Sequence, residues 1–316
     1  MPPNPLLILL TTSLVASSSV LAVDNCRLNE PSFPAPTLLT RSTTISSATK
    51  RLASIFDASI TTFNSSYGPF DAANITYSLE IFSIHSERPI LSRHHTSKAT
   101  RSSKVGTTQV TSDSVYRIGS LTKLFAAYVS LITAGDVVWR DPVTKYIPEL
   151  AEADLLYNAT ANPIDHVSWS DVTLGDLAAH TSGVGRELGG FRELTGPLST
   201  IPDPTIYGLP PLNKTELPIC AGGGFCTRKT FFEGFTKRHP VYAPATGAIY
   251  SNVAYQILAY AIENVTGVDF PTLVQKNLYK PLNLSKSSWG IPPKDNKTSV
   301  ISNPAVWALD LGDETP

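Results

Sequence analysis

The segment 115-VYRIGSLTKLFAAYVSLITAGDVVW-139 determines most of what this sequence predicts. A polar group of residues, Gly119 to Lys123, separates a short strand-like run from a long apolar run. The apolar run predicts a helix from Ser120 to about Ala134, which ends at Gly135 and buries one stripe of apolar side chains. The predicted stripe consists of Leu121, Leu124, Phe125, Tyr128 and Ile132.

Ser120 and Lys123 are three residues apart, so a helix would present them on one face, a turn apart. A serine hydroxyl is a poor nucleophile at neutral pH and needs a neighbouring base, a role that a lysine amine can fill. The start of a helix also favours negative charge that develops at the serine. The spacing alone is weak evidence, because Ser47 and Lys50 repeat it. There it indicates an ordinary surface helix with a solvated lysine.

A second motif, 250-YSN-252, is the only Y-x-N pattern in the chain. A lysine ammonium near a tyrosine favours the phenolate, which is a usable general base. Asn252 is a candidate contact for a substrate amide or for the lysine. Taken by itself, the motif is also typical of a polar cap where a loop enters a helix.

The rest of the chain indicates a mixed architecture. Helical spacing is found in 43-TTISSATKRLASIFDASI-60, and two strand-like runs follow at 75–84 and 89–96. Residues 173–180 predict a short helix capped by Thr173, and 250–267 predict a longer one that ends at Gly267. We expect loop at 96–113 and a variable, Gly- and Pro-rich region at 184–246. Early strands without regular βαβ alternation predict an α+β fold, with an antiparallel sheet flanked by helices and a helical, loop-rich lobe.

Three segments together resemble the serine β-lactamase and penicillin-binding-protein family. They are 116-YRIGSLTKLFAAYVSLITAGDVVWRDPVTKYIPEL-150, 172-VTLGDLAAHTSGV-184 and 244-PATGAIYSNVAYQILAYAIENVTGVDFPTLVQKNLYKPLNLSKSSWG-290. Within the family they are most similar to the class C β-lactamases and related esterases and D-aminoacyl peptidases. The resemblance spans roughly 110 to 290, with the motifs in the family's order.

The resemblance implies a β-lactamase/transpeptidase-like fold and a role for each matching residue. Ser120 would be the acylated nucleophile and Lys123 its proton partner. Tyr250 would be the general base and Asn252 a contact to substrate and lysine. The Ser120 N–H would be one oxyanion donor. No cofactor and no metal is implied, and His180, in the second segment, is interpreted as structural.

The family's third motif, Lys-Thr-Gly or His-x-Gly on a late strand, does not follow Asn252. The segments that begin at Lys229 and Lys297 match only its first two positions. We therefore expect residues 23–316 to form an incomplete β-lactamase-like domain without the closing C-terminal strands.

The N-terminus predicts export. Residues 1–22 have an apolar centre, 6-LLILLTTSLVASSSVLA-22, and end in small residues typical of a signal-peptide cleavage site. A membrane anchor is the alternative, but the apolar run is interrupted by polar residues and is shorter than the ~20 residues that a span needs. The predicted location is extracellular, with no membrane contact after cleavage. The net charge of −1 gives no reason to expect a nucleic-acid partner.

Covalent modification is predicted at several positions. Cys220 and Cys226 flank a glycine-rich loop and are candidates for a small disulfide, which leaves Cys26 without an assigned partner. Seven N-x-S/T acceptors predict a glycoprotein: Asn64, Asn74, Asn158, Asn213, Asn264, Asn283 and Asn296. The pair His94 and His95 is interpreted as exposed on a hairpin and not as a metal site, because no third ligand is near in the sequence.

The sequence is compatible with two functions. The first is a secreted serine hydrolase that acts through an acyl-enzyme on an amide or ester of a small molecule or peptide. The second is a non-catalytic secreted glycoprotein on the same scaffold, either a pseudoenzyme or a truncated gene product. An α/β-hydrolase has little support, because its nucleophile elbow needs glycines where this chain has Ile118 and Thr122.

Overall fold

The computed structural model describes residues 39–158, 161–186 and 227–290. Two pairs of short strands and eight α-helices form most of the regular structure in these ranges. The strands are β1 Asn64–Ser65, β2 Gly68–Pro69, β3 Tyr77–Ile81 and β4 Leu91–His95. The helices are α1 Thr43–Thr62, α2 Lys98–Arg101, α3 Thr122–Ala134, α4 Pro148–Tyr157, α5 Leu174–Ala179, α6 Arg228–Phe235, α7 Asn252–Thr266 and α8 Phe270–Val274.

The mixed α+β class predicted from the sequence is confirmed. Strand β1 pairs antiparallel with β2, and β3 pairs with β4. The strands β3 and β4 lie inside the two runs that alternation predicted. Short turns link the helices: 3₁₀ turns at Leu39–Arg41, Gly119–Leu121, Val137–Arg140, Val143–Lys145 and Trp169–Asp171, and a π-helical turn at Gln275–Tyr279.

The chain divides into two units, Met1–Phe56 with Glu80–Leu91, and Asp57–Leu79 with Ser92–Pro316. In the described part of the first unit, the N–H of Ile90 bonds the carbonyl of Ile81 at 2.7 Å. The second unit contains one buried apolar core, built from α3 to α8 and the turns between them. All the candidate catalytic residues belong to this second unit.

Helix α7 is the central element of that core. Ser251 caps its N-terminus by accepting the N–H of Ala254, and Gly267 ends it in the left-handed conformation. The predicted apolar face is buried, as expected from its spacing: Val253, Ile257, Leu258, Ala261 and Ile262. The helix packs against α3 and α5, which brings its first turn to the start of α3.

The buried stripe predicted for α3 is wrong in most of its positions. Leu124 is 70% exposed, and Leu121, Tyr128 and Ile132 are exposed as well, while Phe125 is half-buried. The buried face instead carries Ala126, Val129 and Ser130, and it packs against α7 and α8. Apolar residues occur all round this helix, so their spacing does not select one face. Small side chains let the neighbouring helices approach closely, and they mark the packed side.

Helix α5 is held by a capping box, as Thr173 predicted. The Thr173 hydroxyl accepts the N–H of Asp176, and the Asp176 carboxylate accepts the N–H of Thr173 at 3.0 Å. After α5 the chain runs alongside residues 241–252. The carbonyl of Gly183 accepts the N–H of Val241 at 2.8 Å, and the carbonyl of Arg186 accepts the N–H of Asn252 at 3.0 Å. This segment fixes the entrance to α7.

Two regions expected to be loops contain helices, and one histidine pair differs from its expected exposure. The expected loop at 96–113 contains α2, capped by Ser97, and the loop-rich 184–246 region contains α6. The ring nitrogens of His94 and His95 approach the Ser78 hydroxyl and the Ala72 carbonyl, so the pair is partly buried instead of exposed. Several predicted features lie outside the described residues: the signal peptide 1–22, Cys26, Cys220, Cys226, Asn213 and Asn296.

Candidate active site

Ser120 stands at the entrance to α3. It is the middle residue of the 3₁₀ turn Gly119–Leu121, and this turn leads directly into the first residue of the helix, Thr122. The chain reaches this turn through Gly119, whose φ of +52° is costly for any residue with a Cβ. The Ser120 side chain is exposed. Backbone N–H groups at a helix start have no partner within the helix, so they are available to a developing anion.

The Lys123 ammonium lies at the centre of the candidate site. Its Nζ donates hydrogen bonds to the Ser120 hydroxyl at 3.3 Å, to the Tyr250 hydroxyl at 2.7 Å and to the Asn252 side-chain carbonyl. Three donors therefore meet three acceptors, which is the full capacity of an ammonium group. The sequence predicted all four residues for one site, and the structure brings all four together.

Tyr250 and Asn252 reach this position because they flank the N-cap of α7. Ser251 is fully buried and bonds the Gly185 carbonyl at 2.9 Å. Tyr250 precedes this buried residue, and its hydroxyl donates to Ser120 Oγ at 2.6 Å. The nucleophile candidate and the base candidate are thus in direct contact.

The charges around Tyr250 favour its ionisation. Burial raises the pKa of Tyr250, but its hydrogen bonds with Lys123 and Ser120 and the charges of Lys123 and Arg186 outweigh burial, so the pKa is lowered overall. The Lys123 nitrogen lies 4.6 Å from the Tyr250 ring centroid, and the Arg186 guanidinium carbon lies 5.7 Å from it. A phenol in this environment gives up its proton more readily than a free one.

Two further aromatic residues complete the site, and sequence reasoning assigned neither of them to it. The ring of His180 lies against the rings of Tyr250 and Tyr255, with centroid distances of 4.6 Å and 5.3 Å. Tyr255 also lies 5.5 Å from Lys123 Nζ, and its hydroxyl donates to the Ala178 carbonyl at 3.0 Å. The available signal was the position of Tyr255 three residues after Asn252, on the same face of α7.

The beta-lactamase family model matches residues 82–310, which include Ser120, Lys123, Tyr250 and Asn252. The chain belongs to the beta-lactamase family. A curated relative, the "Beta-lactamase-like protein" of Arthroderma benhamiae, is 30% identical over 313 residues, which cover 93% of this chain and 47% of that protein. The chain thus spans about half the length of this relative.

Two other similar proteins share less of their sequence with this chain. The D-alanyl-D-alanine-carboxypeptidase/endopeptidase AmpH of Escherichia coli is 28% identical over 192 residues, 60% of this chain and 40% of AmpH. A class C beta-lactamase solved in complex with cefoxitin superposes with a TM-score of 0.52 at 14% identity, over 81% of this chain and 55% of the other. This likeness supports the beta-lactamase-like fold that the sequence motifs implied.

The family's third motif is not found on a strand in the described part of this beta-lactamase-family chain. Lys229 and Thr230, which match its first two positions, lie on helix α6. The second partial match, at Lys297, lies outside the described residues. Among the described residues, the partial match at Lys229 therefore does not supply the family's second oxyanion donor.

Five of the seven predicted glycosylation acceptors can be placed, and all five side chains are exposed: Asn64, Asn74, Asn158, Asn264 and Asn283. The amide nitrogen of Asn264 donates to the Tyr146 carbonyl at 2.8 Å, so a glycan there would compete with a structural hydrogen bond. In the described ranges, no three His, Cys, Asp or Glu side chains are grouped as metal ligands would be. Nor does any helix in these ranges have the length and apolar character needed to cross a bilayer.

Proposed function

We propose that this chain is a secreted serine acyl hydrolase that forms an acyl-enzyme on Ser120. The proposal depends on one contact above all: the Tyr250 hydroxyl lies 2.6 Å from Ser120 Oγ while Lys123 Nζ donates to both oxygens. A nucleophile, a base and a cation that stabilises the ionised base are therefore in mutual hydrogen-bond contact.

The first half-reaction acylates the serine. With Lys123 charged and Tyr250 ionised, the phenolate takes the proton of the Ser120 hydroxyl as Oγ attacks the carbonyl carbon of the substrate. The negative charge moves to the carbonyl oxygen, where the Ser120 N–H at the start of the helix stabilises it. The tetrahedral species collapses when Tyr250 passes its proton to the departing amine or alcohol, which leaves the acyl group on Ser120.

The second half-reaction restores the enzyme with the same groups. Tyr250, again ionised, takes a proton from a water molecule, and the resulting hydroxide attacks the acyl carbon. Tyr250 then returns the proton to Ser120 Oγ as the acid product leaves. Asn252 keeps Lys123 in place through its side-chain carbonyl. Its position next to the nucleophile also suits a contact with an amide of the substrate.

The substrate class follows from this chemistry and from the relatives. An acyl-enzyme mechanism accepts an ester or an amide of a small molecule or peptide. The name of AmpH describes cleavage of D-alanyl-D-alanine peptides by that relative. We propose an ester or a peptide amide for this chain, in preference to an antibiotic β-lactam.

A non-catalytic glycoprotein on the same scaffold is the second candidate. It is favoured by one observation: in the described part of the chain, Lys229 and Thr230, which match the first two positions of the family's third motif, lie on helix α6 and not on a strand. Removing one oxyanion donor typically costs about 10²–10³ in rate. The first candidate is preferred, because a scaffold without activity would not need to keep four matched side chains in hydrogen-bond contact.

The deciding experiment uses a fluorophosphonate ester, which phosphonylates activated serines and releases fluoride. The purified chain is incubated with the reagent, and its intact mass is measured beside Ser120→Ala. Ser47→Ala is the matched control, since Ser47 has the same spacing to Lys50 on the exposed side of α1. We expect a mass gain in the parent chain and in Ser47→Ala, and none in Ser120→Ala. A parent chain that gains no mass would favour the non-catalytic candidate.

Secretion and glycosylation are tested separately from catalysis. The full chain is expressed in a eukaryotic host, and the N-terminal residue and the mass change on glycosidase treatment are measured. We expect a secreted product that begins after Ala22 and loses mass to the glycosidase. A chain retained in the cytosol at its full length would refute both parts.

A further inference from the structure

We propose that His180 is a positioning residue that holds Tyr250 in line with Ser120, with a neutral imidazole that carries its proton on Nε2. This inference deepens the proposed function and depends on it, because a base needs positioning only where there is catalysis. Three contacts connect His180 to the tripeptide 249–251, and each involves a different part of the residue.

Two of the contacts are hydrogen bonds on either side of Tyr250. The His180 carbonyl accepts the N–H of Ile249 at 2.9 Å, and His180 Nδ1 accepts the N–H of Ser251 at 3.1 Å. One residue thus holds the backbone immediately before and immediately after the tyrosine. The direction in which the Tyr250 side chain leaves the backbone is fixed by the two points together.

The third contact is between the rings. The imidazole lies 4.6 Å from the Tyr250 ring centroid at an interplanar angle of 38°, which supports the phenol from one side. On the far end of the ring, the hydroxyl bonds Ser120 and Lys123. A small rotation of the ring would move the hydroxyl away from Oγ, and a displacement of about 1 Å can cost on the order of 10² in rate.

The backbone of His180 is strained in a way that suggests a function for its side chain. His180 has a φ of +62° and a ψ of +27° at the C-cap of α5, a position where glycine is usual. A residue with a Cβ is disfavoured in this region, and such outliers often accompany functional sites. Glycine would satisfy the cap equally well, but it would remove both the Nδ1 acceptor and the ring.

The tautomer follows from the partners. The Ser251 N–H is a donor, so Nδ1 must carry a lone pair, and the proton of a neutral ring is then on Nε2. Burial and the nearby Lys123 charge both lower the pKa of His180, which keeps the ring neutral. The groups that face it are Lys123 from α3 and the phenols of Tyr250 and Tyr255. The Arg186 guanidinium lies over the Tyr250 ring. Asp176, on the helix that His180 caps, accepts hydrogen bonds from the hydroxyls of Thr173 and Thr181.

Protonation of His180 would therefore break the hydrogen bond between its Nδ1 and the Ser251 N–H. An imidazolium presents an N–H at Nδ1 to the N–H of Ser251, and two donors repel. We expect the acid limb of the acylation rate to include the titration of His180, in addition to the ionisation of Tyr250.

Three variants separate positioning from mere structural support. His180→Gly removes the acceptor and the ring while it suits the left-handed backbone. His180→Asn also tolerates that backbone and keeps a side-chain oxygen that does not titrate. His180→Phe keeps a ring without an acceptor. Thermal unfolding of each variant reports whether it folds.

The first readout is the rate of Ser120 phosphonylation by the fluorophosphonate between pH 5 and 9. We expect His180→Gly and His180→Phe to be slower by about 10-fold to 100-fold. We also expect added imidazole to restore part of the rate in His180→Gly, and His180→Asn to remain within about threefold of the parent with a shallower acid limb. A folded His180→Gly variant that reacts within twofold of the parent would overturn the proposal.

The second readout does not depend on activity. The ¹⁵N shifts of the imidazole nitrogens are recorded on histidine-labelled chain, and the His180 signals are assigned by their loss in His180→Asn. We expect an unprotonated Nδ1, a protonated Nε2 and titration below pH 6.5; a protonated Nδ1 would overturn the proposal. A parent chain that is never phosphonylated would refute the proposed function and with it the positioning role, whereas a protonated Nδ1 in a chain that is phosphonylated would refute only the inference about His180.

Discussion

The hydroxyl oxygens of Tyr250 and Ser120 lie 2.6 Å apart, although 130 positions separate the two residues in the sequence. The contact exists because α3 and α7 pack together in one core, with Ser120 just before one helix and Tyr250 just before the other. The chemistry proposed for this chain therefore depends on helix packing as much as on the reactive groups themselves.

Replacing Tyr250 by phenylalanine tests the base directly. The variant keeps a ring against His180 but removes the oxygen that accepts the Ser120 proton. We expect the rate of Ser120 phosphonylation to fall by about 10²–10⁴, the usual contribution of general base catalysis, with little change in the midpoint of thermal unfolding.

Tyr260→Phe is the matched control for this change, since Tyr260 lies on α7, the helix that follows Tyr250, and its hydroxyl accepts a hydrogen bond from the side-chain amide of Gln256 at 3.2 Å. It should react as fast as the parent chain. A Tyr250→Phe variant that reacts at the parent rate would assign the base to another group.

The pH dependence of acylation follows from the pKa of Tyr250. The pKa of this phenol is lowered from its ordinary value of 10.0, since the bonds and charges contributed by Lys123, Ser120 and Arg186 outweigh burial. The active form is the ionised one, so the rate should rise with pH and reach half its maximum below pH 10. Arg186→Gln removes one of the positive charges and should move that midpoint to higher pH. A midpoint that stays in place or falls would contradict this electrostatic assignment.

Gly183 lies in the segment that pairs with the chain leading to the site, and we expect Gly183→Ala to destabilise the fold. Its φ is +75°, and a Cβ would lie 2.1 Å from the carbonyl oxygen of Tyr242. The backbone strain and the overlap together should lower the free energy of unfolding by about 3 kcal/mol. Urea denaturation of Gly183→Ala beside the parent chain measures this loss of unfolding free energy.

Gly267→Ala provides the comparison for Gly183→Ala. Gly267 has a similar φ of +69°, but nothing lies within 4 Å of the position its Cβ would take. Only the backbone penalty of about 1 kcal/mol remains. Equal losses in the two variants would show that the close approach to Tyr242 is not what makes Gly183 necessary.

The sequence predicted the catalytic candidates better than it predicted their surroundings. Ser120, Lys123, Tyr250 and Asn252 were selected because their motifs and the flanking segments together resemble the β-lactamase family, whereas the Ser-x-x-Lys spacing alone fits Ser47 and Lys50 equally well. The hold of His180 on residues 249–251 depends on its left-handed backbone conformation and on one ring nitrogen that accepts the Ser251 N–H. Neither property can be predicted from the residue type alone.

The same contrast holds for the helices. The buried face of α7 was predicted, because polar residues such as Gln256 and Glu263 interrupt its apolar pattern on the other side. Helix α3 has apolar residues all round, and helix α6 lies in a region whose Gly and Pro content obscures helical spacing. In both cases tertiary packing determines what the local pattern leaves undecided.

The corrected orientation of α3 gives the last prediction. Leu124 is 70% exposed and Val129 is fully buried, although both are apolar and both lie on the same helix. Val129→Ala removes two buried carbon atoms from the apolar core and should lower the free energy of unfolding by about 2 kcal/mol once the cavity is included. Leu124→Ala removes more carbon but takes it from solvent, so the loss should stay within about 0.5 kcal/mol. Urea denaturation of the two variants under the same conditions compares the faces directly. A larger loss for Leu124→Ala would restore the stripe predicted from spacing and refute the packing of α3 described above.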